Sequence, residues 1–516
     1  MNEHYLCNPQ SVCHYNPPSV LKNRQKRLAL HAAARNFAAE FKDFWERHDI
    51  LCPRYAVIKA NCLPLHFQKR HTAGEQNQKK IGRRSQTIIW VVRYKTMKNI
   101  RMLLAILLAT TMLQLQAQRN KMLLPEMRTL TVETGGDGNG LPILRLGTSD
   151  RLRIGFDLLD TEYRRITYKI EHLTWDFRKT EDLFESDYVR AAADEEVVED
   201  FEESMNTTAS YAHYALVFPN ERMQPLLAGN YRMTFMTEDE DGNEVEAAHV
   251  YFAVIDPQAS LQIDCTTNTD IDWNRSHQQL SITVDMNDLL LRDESEDVRL
   301  FVLQNRRWDN AVVNPAPTHR NGQKLIWSHC RELIFPAGNE FRAFDMISTR
   351  YPGMHMMGVR WEDDAYQAFV APDEQRRNYL LYDDRNGQYV CRTDDSAEAY
   401  TESDYCQTHF ELHMDELEDY DVYLSGQWTH NRFLPEYKMY YDDDEGCYRA
   451  DLYLKLGYYS YQYLAVPRTG AAIGSVGPVD GDFWQTENEY TVLVYYRRTG
   501  ERYWSLVGET NPSFKP

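Results

Sequence analysis

The chain has 516 residues, 43% of them hydrophobic, and a formal net charge of -20; at roughly 100 to 200 residues per domain this length holds about three or four cores. Such acidity excludes nucleic acid and anionic membrane surfaces as expected partners, since both are approached through Lys and Arg. It favours a basic or polar protein partner. The charge is uneven: residues 1–96 carry 17 Lys or Arg against 6 Asp or Glu, leaving 40 against 71 in residues 97–516.

From the N-terminus, residues 1–96 show no sustained periodicity and read as a basic leader upstream of the expected translation start, Met97. Residues 97–117, MKNIRMLLAILLATTMLQLQA, have the layout of a secretory signal peptide. Lys98 and Arg101 precede an apolar run from Met102 to Leu115, and Ala117 is the small residue expected before cleavage. The alternatives are a membrane anchor with a cytoplasmic head, disfavoured because a span needs about 20 apolar residues, and a basic tail that binds nucleic acid or membrane. Cys265, Cys330, Cys391, Cys406 and Cys447 remain in the exported part, too few and odd in number for a disulfide framework.

The exported chain reads as all-β, a tandem of immunoglobulin-like and early-set β-sandwich domains. Ile154, Phe156 and Leu158 alternate, as do Tyr168 and Ile170, and Tyr231, Met233 and Phe235 precede a hairpin signal at Asp241-Gly242. These strands make a first immunoglobulin-like domain over residues 125–256. A second sandwich is expected over 257–367, with turns at Arg320-Asn321-Gly322 and Pro336-Ala337-Gly338. Residues 368–404 form a charged connector with a hairpin at Arg385-Asn386-Gly387, and 405–510 an early-set-like third sandwich ending in the hairpin EYTVLVYYRRTGERYWSLVG.

Residue groups with catalytic or binding chemistry are few. Cys406, His409 and His413 resemble metal ligands, but on a strand His409 and His413 stand about 13 Å apart. Asp442-Asp443-Asp444-Glu445-Gly446 lacks the ligand spacing of a calcium loop and reads as a solvated turn. The carboxylates from Asp194 to Glu203 repel one another without an apolar pocket to separate their pKa values, and read as a solvated loop. No HExxH, phosphate-binding loop or CxxC occurs, so neither catalysis nor a cofactor is expected. Tyr459, Tyr461 and Tyr463 share one strand face and, with Trp428 and Trp484, suggest an aromatic platform for glycans. A half-buried tyrosine ladder packing the sandwich is the favoured account, and the platform the alternative.

The stretch FEESMNTTASYAHYALVFPN, with RIGFDLLDTEYRRITYKIEH before it and GNYRM after it, resembles the N-terminal domain of type IX secretion system plug proteins. Ser204, Asn206, Thr207, Tyr211, His213, Tyr214, Phe218, Pro219, Asn220, Gly229, Asn230 and Tyr231 carry the resemblance. Met205 departs from it, standing where Phe is usual, as does LTWDFRKT after His172. The likeness implies a periplasmic protein, associated with the outer membrane, that binds the secretion translocon barrel and seals its periplasmic mouth. It implies no catalytic residues, no cofactor and no small-molecule substrate. On the residues alone, Ser204, Asn206 and Thr207 are expected to fasten the turn entering the Tyr214-Leu216-Phe218 strand, with His213 as a structural partner.

Overall fold

A computed structural model describes residues 119–515 apart from 136–139, 161, 162, 383 and 395. The expected leader and signal peptide, residues 1–117, lie outside the described residues. The described chain is all-β, its α-helices single turns such as Glu185–Tyr188 and Ala399–Glu402. No described helix is long and apolar enough to cross a membrane.

Period-two alternation builds the first sandwich. One sheet runs Met127–Thr134, Leu152–Leu158, Ala212–Phe218, Asp200–Glu203, and the facing strands are Glu244–Ile255, Gly229–Glu238, Thr167–Leu173 and Glu196–Val197. Ile154, Phe156, Tyr214, Phe218, Phe235 and Phe252 fill the space between them. The hairpin at Asp241-Gly242 forms with Glu238 opposite Glu244. Gly242 takes φ +77, and Asp239 Oδ1 accepts the Asn243 N–H at 2.8 Å, so glycine and an Asx turn together close the loop.

The remaining sandwiches do not follow the linear order expected from sequence. The second packs Ser260–Thr266, His277–Asp285 and Lys324–Trp327 against Val298–Gln304 and two strands from the C-terminus, Asn488–Tyr496 and Ser505–Thr510. The C-terminal hairpin therefore closes the second sandwich rather than the third. Ile255 pairs in parallel with Leu506, making the facing sheets of the first two sandwiches continuous.

The third sandwich is inserted between Ile334–Pro336 and Asn488–Tyr496. It packs Arg342–Met346, Tyr389–Cys391, Tyr420–Ser425 and Gly457–Pro467 against Met356–Glu362, Ala365–Val370, Tyr405–His413 and Cys447–Lys455. The expected connector 368–404 contributes strands to it. The turn at Arg385-Asn386-Gly387 forms, but it closes no hairpin, because Tyr389–Cys391 pairs with Gly457 to Tyr459. Alternation tells which face of a strand is buried and leaves its distant partner open, which is why the insertion is invisible in the one-dimensional pattern.

Candidate functional site

The apolar side of Leu152–Leu158 and Ala212–Phe218 faces the first core, so Asp157, Tyr211 and His213 face the other way. That outer face is covered by the third sandwich. Asp157 and His213 are cross-strand partners on one side, Tyr405 and Lys455 on the other. The two pairs meet. Asp157 Oδ2 accepts from Lys455 Nζ and from the Tyr405 hydroxyl, each at 2.6 Å, and Oδ1 lies 2.6 Å from His213 Nδ1. The Asp157 and Lys455 side chains are 0% exposed.

Further contacts complete the ring of partners. Lys455 Nζ donates to the Tyr400 carbonyl at 2.5 Å and lies 4.1 Å from the Tyr211 ring centre. The Tyr211 hydroxyl donates to the Ser403 carbonyl at 2.8 Å, and His213 stacks on Tyr400. Burial pushes the Tyr405 and Tyr211 phenols well above their ordinary range, and the Asp157 charge adds to the rise. A buried ion pair is tolerated only when its spare lone pairs and protons are satisfied. Here they are, so the cluster is a latch between sandwiches.

The polar turn before Tyr211 fastens the same seam. Ser204 Oγ accepts the Tyr211 N–H at 3.0 Å, and Thr207 Oγ1 donates to the Ala209 carbonyl at 2.8 Å. Across the seam, Asp404 Oδ1 accepts from the Thr208 N–H and hydroxyl, both at 2.7 Å, and the Met205 N–H donates to the Thr401 carbonyl at 2.9 Å. Asn206, at φ +59, reaches Glu402 Oε1 at 3.4 Å. Tyr214 and Phe218 are core residues. The Phe218–Pro219 bond is cis, and Asn220 caps the next turn, its Oδ1 accepting the Met223 N–H at 3.0 Å.

Gly229, Asn230 and Tyr231 occupy a second seam, toward the C-terminal strands. Gly229 lies at φ +142, and a Cβ there would fall 2.5 Å from His172 Nε2 and 2.8 Å from the Trp504 carbonyl oxygen. Only glycine fits. Asn230 Oδ1 accepts from the Tyr495 hydroxyl at 2.8 Å and its amide donates to the Thr174 carbonyl at 3.1 Å. Tyr231 donates to the Leu227 carbonyl at 2.8 Å. Burial holds the adjacent His172 imidazole down at about 4.

The glycan platform is not assembled. Tyr459, Tyr461 and Tyr463 are 2%, 0% and 0% exposed, so no sugar reaches their faces. The hydroxyls of Tyr461 and Tyr463 donate to Asp373 Oδ2 at 2.6 and 2.8 Å. Burial alone would raise the Asp373 carboxyl, but hydrogen bonding from His355 and the Arg342 charge hold it down at about 2. Trp428 donates from Nε1 to the Ser460 carbonyl at 3.2 Å, whereas Trp484 sits on the second sandwich, its carbonyl accepting from Gln278 Nε2 at 3.0 Å.

The other chemical candidates are also built into structure. His409 lies between Asp451 Oδ1 at 2.6 Å and Gln367 Oε1 at 2.9 Å, while Cys406 is buried. All five described cysteines are free thiols. The acidic run is more ordered than a solvated loop: Glu196 lies in a strand at 4% exposure and Glu195 pairs with Lys169 at 2.9 Å.

Sequence reasoning missed Lys455, Tyr405 and Asp404. The available signal was a charged residue inside an apolar strand, Asp157 in RIGFDLL and Lys455 in DLYLKLGYY, because a buried charge demands a partner.

Residues 127–255 match the family model described as the type 9 secretion system plug protein 1st domain. A solved structure of a hypothetical protein from Parabacteroides merdae ATCC 43184 is 33% identical, with a TM-score of 0.73, over 77% of this chain and 99% of that one. E. coli alpha-2-macroglobulin in its native conformation is matched at 9% identity and a TM-score of 0.14, over 76% of this chain and 23% of that one, a likeness too slight to bear on the fold. No curated protein matches the chain.

Proposed function

The chain belongs to the type 9 secretion system plug family, and from that premise we propose that it is a periplasmic, non-enzymatic subunit that docks on the outer-membrane translocon barrel and closes its periplasmic mouth. The observation that carries the reading is the use made of the family's polar residues. Tyr211, His213, Gly229 and Asn230 lie at the two seams that fix the first sandwich to its neighbours.

A stopper has to hold its shape against a pore and still release, and pre-organised surfaces bind with little backbone movement. A latch of buried charge supplies that shape at a seam where separate domains would otherwise move. The excess of 71 acids over 40 bases in residues 97–516 adds steering toward a positive rim, a force that salt screens.

Tagged protein incubated with outer-membrane extract tests the reading. Recovery of a large outer-membrane barrel of the secretion system, weakened as salt rises from about 50 to 500 mM, is expected. Failure to recover any barrel under cross-linking would reject docking, and salt-independent recovery would reject only the steering.

A further inference from the structure

The three sandwiches surround a cavity of about 430 Å³ that belongs to none of them alone. Its wall includes Arg119 from the first, Arg306 and Trp308 from the second, and Trp428 and His430 from the third. The volume lies in the range of small-molecule sites, which favour domain junctions and combine apolar walls with a few polar groups.

The polar groups of this wall are incompletely satisfied. Arg306 is 4% exposed, its Nη1 has no hydrogen-bond partner, and its Nε makes only an ion-pair contact of 3.3 Å with Glu489. Arg119 donates from Nη1 to the Asn431 carbonyl, yet its Nε is unpartnered, as is His430 Nε2. Burial pushes both guanidiniums down from their ordinary range. An unmet buried donor is destabilising, and more so when charged.

The backbone is also bent to put Arg306 there. Asn305 and Arg306 both adopt left-handed conformations, φ +50 and +60; asparagine takes this region readily, but arginine holds it only where its surroundings enforce it. The enforcing contacts are present: Asn305 Nδ2 donates to Asn488 Oδ1 at 2.8 Å and Asn305 Oδ1 accepts the Glu489 N–H at 2.9 Å. Of the wall carboxylates, Glu133 already accepts from the Tyr400 hydroxyl, Asp451 from His409 and Glu436 from the Tyr437 hydroxyl.

We propose that this cavity binds a small aromatic carboxylate, its anionic end on Arg306 and its ring along Trp308 and Trp428. A guanidinium recognises a carboxylate through charge-assisted hydrogen bonds, and indole faces supply flat apolar area. The ligand would bridge the second and third sandwiches and so tighten the stack, a role the sequence, which suggested no small-molecule substrate, did not announce.

Phenylacetate and its neutral counterpart phenylacetamide are the probes, titrated calorimetrically into the purified protein with tryptophan fluorescence followed in parallel. Saturable binding of phenylacetate, at least about tenfold tighter than the amide and weakened about as much by Arg306→Met, is expected. No saturation by about 10 mM, or equal binding of acid and amide, overturns the proposal. The acid–amide comparison uses the unmodified protein, so it decides the matter even if Arg306→Met folds poorly.

Discussion

Lys455→Met isolates the latch. The substitution keeps the length and apolar stem of the side chain and removes the ammonium that lies 2.6 Å from Asp157 Oδ2. Asp157 is left buried with the Tyr405 hydroxyl and His213 as its donors. Breaking a buried pair by removing one partner costs about 3–5 kcal/mol, and the two remaining donors place this case near about 3 kcal/mol. In urea, with m of about 2–3 kcal/mol per M, the first unfolding midpoint should fall by about 1 M.

Adding Asp157→Asn to Lys455→Met should recover at least about 1.5 kcal/mol, because the stranded charge is gone and residues in one network couple by this order. The assay is equilibrium urea unfolding followed by tryptophan fluorescence. A Lys455→Met midpoint unchanged to within about 0.2 M, equivalent to about 0.5 kcal/mol, would refute the latch as an energetic element. So would strict additivity of the pair.

Gly229→Ala should destabilise by about 2–4 kcal/mol, since the new methyl meets the His172 ring and the Trp504 carbonyl at a φ of +142; thermal unfolding reads this directly. His172, held at about 4 by burial, gains a proton more readily unfolded than folded. Stability should therefore fall as pH drops from about 6.5 toward 4, by up to about 3 kcal/mol, and His172→Gln should flatten that slope in denaturation curves. Tyr461→Phe removes one donor to Asp373 and should cost about 1–2 kcal/mol, with no change on a glycan array because the ring is buried.

What the sequence disclosed was local. Alternation identified the strands carrying Ile154, Phe156, Tyr231 and Phe235, and Asp241-Gly242 identified its hairpin, because each signal is complete within a few residues. The latch was hidden because its halves lie 298 residues apart, Asp157 to Lys455, and no short-range pattern encodes that meeting. The glycan platform of Tyr459, Tyr461 and Tyr463, the less favoured of the two readings, fails for a related reason. Period two puts them on one face, but only the inserted topology makes that face the interior, with Asp373 beneath two of the hydroxyls. His213 was legible as a structural partner; that its ring stacks on Tyr400 of a different sandwich was not.

Closure of the translocon mouth is tested most directly by the outer-membrane barrier of cells lacking this chain, measured as uptake of a large antibiotic normally excluded by that membrane. The proposed role requires uptake to rise in the deletion strain and to return to its normal level when the protein is restored. An unaltered barrier in the deletion strain, with the translocon present, would contradict it.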